Sequence, residues 1–127
     1  MKYIVTTEKS IEQASVDLEA AVKRNGFGVL HMYDLQQTLK SKGVDLPNAC
    51  RIYEICNPQK AEQVLKNDMT LNMALPCRIS VFQHNGETQI GMIRPRAMLS
   101  MLSDDDALAT VAEEVESISI RIIDEAK

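Results

Sequence analysis

One short stretch constrains the fold more than any other: RISVFQHNGETQIGMI, in which Asn85 and Gly86 separate two β-prone runs. Asn-Gly between such runs is the strongest short-range indication of a β-hairpin with a two-residue type I′ turn. The turn fixes the strand register, because His84 then lies opposite Glu87. On one face this register pairs Val81 with Ile90 and Ile79 with Met92, and on the other Phe82 with Gln89 and Ser80 with Gly91. We expect the first face to be buried.

Three further β-prone segments precede the hairpin, each followed by a segment that is typical of a helix. These strands are predicted at Lys2–Thr6, Phe27–Tyr33 and Ala49–Cys56, and the helices follow Ser10, Asp34 and Asn57. Ser10 and Gln13 fit a capping box, and Gly26 fits the left-handed residue that often ends a helix. Asn57 is a favoured N-cap, and Pro58 suits the first helical position, where its missing N–H is not needed.

The C-terminal part of the chain is predicted to be helical. Pro95 begins a short helix, and Asp104–Asp106 place acids at the first turn of a longer one, as the helix dipole favours. Apolar residues then recur at helical spacing: Leu108, Val111, Val115, Ile118 and Ile122. The end of this segment, SISIRII, is β-branched enough that a strand is an alternative there. The order of elements predicts one α+β domain over residues 1–127, a sandwich of helices on a mixed β-sheet with a C-terminal β-hairpin.

Composition and charge exclude several classes of partner. The 127-residue chain has a formal net charge of −4, and its lysines and arginines are scattered, so no basic surface for nucleic acid is expected. No apolar run approaches the roughly 20 residues of a membrane span, and the N-terminal segment lacks the apolar run of a signal peptide. Three cysteines, an odd number, indicate free thiols rather than a disulfide framework. We expect a cytoplasmic protein without nucleic-acid or membrane partners.

Four blocks carry a family resemblance: GFGVLHMYDLQQTLKSKGVDL, YEICNPQKAEQVLKND, LPCRISVF and IGMIRP. In this order and spacing they resemble the small prokaryotic family catalogued as domain of unknown function 302, from about Ser10 to Pro95. The resemblance implies an α+β fold, a compact dimer and no established enzymatic activity. The family pattern corresponds here to Gly26, Phe27, Asp34, Leu39, Gly43, Cys56, Asn57, Pro58, Ala61, Asp68, Pro76, Cys77 and Pro95. Glu54 departs from the small or apolar residue that is common at its position, so a role for Glu54 would be particular to this protein.

Cys56 ends the third strand directly before a helix N-terminus. Backbone N–H groups and the helix dipole stabilise an anion at such a position, which makes Cys56 a candidate nucleophile and, with Asn57, a candidate ligand-binding residue. The alternative is a packing role, because free cysteine is among the most buried residue types. Packing is also the simpler interpretation of Cys77, which shares the buried hairpin face with Ile79. If Cys77 lies near Cys56, the two thiols are candidates for a redox pair and for ligand binding.

Glu54 shares one side of its strand with Ile52 and Cys56, because side chains alternate along a strand. If that side is buried, the carboxylate must be paired and becomes a candidate general base. If Tyr53 and Ile55 form the core instead, Glu54 is a solvated charge. The rarity of buried glutamate favours the second interpretation.

Two arginines near the base of the hairpin are candidate ligand-binding residues. Arg78 and Arg94 can each hold an anion, and Arg78 can also pair with Glu54. The alternative is a solvated role at the rim of the protein. His84 is expected to be exposed beside the turn, and His31 to be a structural residue in its strand.

Three functions are consistent with these candidates, because no complete catalytic or zinc-binding motif is present. The first is a non-catalytic homodimeric domain without a cofactor, which binds a small ligand or a partner with Cys56 and Cys77 near the site. The second is a thiol-based redox enzyme or sensor, with Cys56 as nucleophile, Cys77 as resolving thiol and Glu54 as base. The third is a soft-metal-binding protein that uses Cys56, Cys77 and a methionine such as Met73. We rank them in that order.

Overall fold

The computed structural model describes all residues, 1–127. The strands are β1 (Lys2–Thr7), β2 (Gly28–Asp34), β3 (Cys50–Cys56), β4 (Cys77–His84) and β5 (Glu87–Ile93). The helices are α1 (Ile11–Arg24), α2 (Leu35–Ser41), α3 (Pro58–Asn67), α4 (Pro95–Ser100) and α5 (Asp106–Ala126). A 3-10 helix at Met69–Ala74, which the sequence did not predict, lies between α3 and β4. The segment SISIRII is part of α5, so the alternative of a strand there is wrong.

The five strands form one sheet in the order β1-β5-β4-β3-β2, and every neighbouring pair is antiparallel. The α+β class is confirmed, whereas the predicted mixed sheet is wrong. β1 and β2 do run in the same direction, as a strand-helix-strand crossover predicts. They are not neighbours, however, because α1 carries the chain across the whole width of the sheet from one edge strand to the other.

The predicted hairpin forms the middle of this sheet. His84 lies opposite Glu87 and Val81 opposite Ile90, as the two-residue turn requires. Asn85 has a φ angle of 52° and Gly86 one of 77°. Both central residues of a type I′ turn need positive φ, which explains why the turn has this sequence.

Side-chain caps start the helices that surround the sheet. The predicted N-caps Ser10, Asp34 and Asn57 each accept a hydrogen bond from the backbone N–H three residues later. Asp105 caps α5 by accepting from two successive backbone N–H groups. These bonds satisfy donors that a helix N-terminus otherwise leaves unpaired, and the cap at Asn57 sets the point where β3 passes into α3.

The two faces of the sheet have different environments. α1 and α5 pack on one face, where they share the main core with buried strand residues such as Tyr53, Ile55, Ile79 and Ile90. A smaller apolar cluster joins α3, the 3-10 helix, α4 and α5 beyond one end of the sheet. The opposite face is formed by three rows of side chains across the strands: Lys2, Ile93, Arg78, Glu54 and His31; Ile4, Gly91, Ser80, Ile52 and Tyr33; Thr6, Gln89, Phe82 and Cys50. We call it the open face.

None of the helices combines the length and the apolar character that crossing a membrane requires.

Candidate functional site

A pocket of about 260 Å³ lies between one end of the sheet and the helices α3, α4 and α5. We call it the apolar pocket. Its wall is almost entirely hydrophobic and includes Phe27, Ile55, Ala61, Val64, Leu65, Leu75, Leu99, Val111, Ala112 and Val115. Four residues with polar groups, Cys56, Asn57, Lys60 and Cys77, also contribute to the wall. The structure therefore brings three of the predicted site residues, Cys56, Asn57 and Cys77, to one cavity.

The two most polar side chains of this wall, Asn57 and Lys60, already have partners within the protein. Asn57 Oδ1 accepts from the backbone N–H of Lys60 at 3.1 Å, and Asn57 Nδ2 donates to the carbonyl oxygen of Gly26 at 3.4 Å. The ammonium group of Lys60 forms an ion pair with Glu114. Asn57 thus holds the chain in its turn from β3 into α3. The half-buried thiols of Cys56 and Cys77 are the polar side-chain groups of the wall that this network leaves available.

Cys77 reaches the same wall from the neighbouring strand. It lies opposite Ile55 in the β3–β4 register, and Cys56 is the residue that follows Ile55 at the end of β3. Burial, and to a smaller extent negative charge at Cys56, raise the pKa of Cys77 to about 11. Cys77 therefore keeps its proton at neutral pH, and a thiol in that state is a weak nucleophile.

Glu54 lies on the open face, on the other side of β3 from the core residues Tyr53 and Ile55. It is nevertheless only 9% exposed. The Tyr33 hydroxyl donates to Glu54 Oε1 at 2.8 Å, and Arg78 Nη2 lies 3.5 Å from Glu54 Oε2. The interpretation of Glu54 as a solvated charge is wrong, because neighbouring strands supply a hydrogen-bond donor and a cation that cover the carboxylate.

Tyr33 is a site residue that sequence reasoning missed. A β-bulge interrupts β2 between Val29 and His31, and His31 then pairs with Glu54. The His31 ring meets the Tyr33 ring edge-on, with 4.3 Å between centroids. Bulges change the direction of side chains and are frequent beside functional sites. Only the pairing of β2 with β3 brings Tyr33 to Glu54, and no local pattern in the sequence specifies that pairing.

We expect Glu54→Gln to lower the pKa of Tyr33. The hydrogen bond to the Glu54 carboxylate is the main reason why the pKa of Tyr33 is raised above that of free tyrosine, and the carboxylate charge adds to it. A neutral amide removes the charge and weakens the bond. Spectrophotometric titration measures the change, with Tyr33→Phe to assign the signal. Asp124→Asn removes the equivalent carboxylate from Tyr3 and is the matched control, which should leave Tyr33 unchanged. An unaltered Tyr33 pKa in Glu54→Gln would contradict the pairing.

A second cavity, of about 590 Å³, lies on the open face at the same end of the sheet. We call it the groove. Ile4, Ile52 and Phe82 line it from the strands, and Met73 lines it from the 3-10 helix. Arg78, a predicted ligand-binding residue, also belongs to its wall. The groove and the apolar pocket share part of their walls, namely Leu75, Pro76, Cys77, Pro95 and Met98.

Like Glu54 and Arg78, the predicted candidates Arg94 and Met73 lie away from the apolar pocket. Arg94 lines neither cavity: its Nη1 is 3.8 Å from Glu116 Oε2, and its guanidinium lies over the Tyr3 ring at 5.2 Å from the centroid. Met73 lines the groove and is 82% exposed. The structure therefore does not bring Met73 to the wall that carries Cys56. It also contains no group of three or more His, Cys, Asp or Glu side chains arranged to hold a metal ion.

The sequence matches a described family, Domain of unknown function DUF302, over residues 3–126. The chain belongs to this family. The fold agrees closely with a solved structure described as that of an uncharacterized conserved protein DUF302 from Bacillus stearothermophilus, with a TM-score of 0.94 and 33% sequence identity. That match covers 99% of this chain and 98% of the other. No curated protein matches the chain. The predicted family resemblance is thus confirmed, and the DUF302 description assigns no activity.

Proposed function

We propose that this DUF302 protein is a non-catalytic binding domain whose small, mostly apolar ligand occupies the apolar pocket beside Cys56 and Cys77. The pocket itself supports this most directly. Protein interiors are close-packed, with few voids larger than a water molecule. An apolar cavity of about 150 Å³ is already large enough to bind benzene. At about 260 Å³ the pocket has room for a ligand with two or three aromatic rings or a short aliphatic chain.

The polar groups of the wall favour a neutral ligand. Lys60, the only charged residue of the wall, is paired with Glu114, and Asn57 is engaged with the backbone. A charged ligand would have to break the Lys60 pair or remain unpaired in apolar surroundings, which is costly. The Cys56 thiol offers a single weak hydrogen-bonding group. It would orient the ligand rather than hold a charge.

The alternative of a thiol redox pair has weaker support. Disulfide formation or exchange requires attack by a thiolate. With a pKa near 11, Cys77 is protonated at neutral pH, so it is poorly suited to act as the resolving thiol for Cys56. A binding role uses both cysteines as part of an apolar wall and needs no ionisation of Cys77.

Binding of the neutral fluorescent probe N-phenyl-1-naphthylamine tests the proposal. The probe emits strongly in apolar surroundings, and the chain has no tryptophan to interfere with the signal. We expect saturable binding of one probe per chain, with affinity reduced at least about tenfold by Ala61→Phe, because the new ring fills the apolar pocket. Ala20→Phe places the same ring on the exposed surface of α1 and should leave affinity unchanged.

A second measurement covers the case in which Ala61→Phe does not fold. In the wild-type protein, saturating probe should slow alkylation of Cys56 by iodoacetamide, since both occupy the same wall. Absence of saturable binding, or equal binding by the Ala61→Phe and Ala20→Phe variants, would refute the proposed site.

We also propose that the protein is a homodimer that pairs along β2. This strand is an edge of the sheet, and the exposed side chains Val29, Leu30, Met32 and Tyr33 make it unusually apolar for an edge. Unpaired edge strands readily pair with another strand. The apolar stripe of α5 gives no support to a dimer, because it packs inside the protomer.

Sedimentation at micromolar concentration tests the dimer. The wild-type protein should sediment as a dimer and Leu30→Lys as a monomer, because a charge on the apolar edge opposes pairing. Val16→Lys, on the exposed surface of α1, is the control and should remain dimeric. A monomeric wild-type protein would show that the proposal is wrong.

A further inference from the structure

The groove on the open face is lined by two cations and no acidic residue, although the protein as a whole carries a net charge of −4. Lys2 has no ion-pair partner. Arg78 meets Glu54 through one nitrogen at 3.5 Å, so its other N–H groups remain available as donors. The side chain of Arg78 is 63% exposed. The lining is therefore complementary to an anion.

The two cations lie in the same row of the open face, on either side of Ile93. From this row the strand surface becomes apolar, with Ile4 and Ile52 in the next row and Phe82 in the third. Successive rows are two residues apart along a strand, so three rows span roughly 13 Å, which suits an aliphatic chain of about ten carbons. The groove thus has a cationic end at the first row and an apolar surface along the next two rows.

We propose that the groove is a second ligand site, which binds an amphipathic anion: an aliphatic chain that ends in a carboxylate. Lys2 and Arg78 hold the carboxylate, and the chain lies along Ile4, Ile52 and Phe82. This ligand differs from the neutral one of the apolar pocket. The two proposed sites are independent, so evidence against one does not refute the other.

Calorimetric titration with sodium decanoate, kept below its micelle concentration, tests the groove. We expect saturable binding that weakens at least about tenfold in Arg78→Gln, because a charge-assisted bond is lost. Arg96→Gln removes an arginine that pairs with Glu113 on the helical surface, and its affinity should match the wild type. The neutral analogue 1-decanol should bind at least about tenfold more weakly than decanoate.

Three results would overturn the groove site: no saturable binding of decanoate, equal affinity in Arg78→Gln and Arg96→Gln, or loss of decanoate binding in Ala61→Phe. The last result would place decanoate in the apolar pocket. Conversely, decanoate binding that Ala61→Phe leaves intact would support the groove even if the naphthylamine probe did not bind.

Discussion

Ile79→Ala should lower the free energy of unfolding by about 2–5 kcal/mol, the usual cost of truncating a fully buried aliphatic side chain. Ile79 is 1% exposed and lies opposite Tyr53 on the face that α1 and α5 cover. The substitution removes packed methyl groups and leaves a void that the surrounding helices fill only in part. Urea denaturation measures the change.

Ile93→Ala is the matched control, because it truncates the same type of side chain on the opposite face of the sheet. Ile93 lies on the open face of the interior strand β5 and is 54% exposed. Its truncation should cost less than about 1 kcal/mol, since surface changes have small effects. Similar losses at Ile79 and Ile93 would mean that both faces of the sheet are covered, contrary to the structure.

The stability of the protein should fall at high pH because of Cys77. Its pKa rises from 9.0 to about 11 on folding, so between these values the unfolded chain has released a proton that the folded protein retains. Stability is therefore lost as pH rises through this window, and titration of Cys77 should remove about 2 kcal/mol between about pH 8 and pH 11. Denaturation at several pH values measures this loss.

Cys77→Ala isolates the contribution of this thiol. The variant is expected to be less stable than wild type at neutral pH, and its loss of stability between neutral and alkaline pH should be about 2 kcal/mol smaller. Cys50→Ala is the comparison, because burial raises the pKa of the less deeply buried Cys50 thiol as well, to a smaller extent. Equal pH profiles for wild type and Cys77→Ala would show that folding does not shield the partly buried Cys77 thiol from water.

The elements that the sequence predicted well are those with local physical causes. The Asn85-Gly86 turn specifies a hairpin because its two residues accept positive φ angles, and the register follows from the turn. Ser10 and Asn57 mark helix starts because their side chains bond to the first turn of the same helix. The 3-10 helix at Met69–Ala74 was missed because its six residues are too short to show a periodic pattern.

The features that the sequence did not predict depend on contacts between distant elements. The antiparallel order of the whole sheet depends on α1 crossing from one edge to the other, and a strand-helix-strand pattern alone does not fix which strands become neighbours. The burial of Glu54 depends on Tyr33 of β2 and Arg78 of β4, one from each flanking strand. The apolar pocket likewise needs β3, β4 and three helices, so Cys56 and Cys77 could be named as candidates but not located together.

Amide NMR during titration with N-phenyl-1-naphthylamine tests the apolar pocket as a ligand site most directly, because it reports where the probe binds. We predict that chemical-shift changes are concentrated at Cys56, Ala61 and Val64 and are small at Thr6 and Gln89, which lie at the far end of the open face. Saturation at one probe per chain with this distribution is the predicted result. Shifts that are absent, that never saturate, or that centre on residues outside the pocket would contradict it.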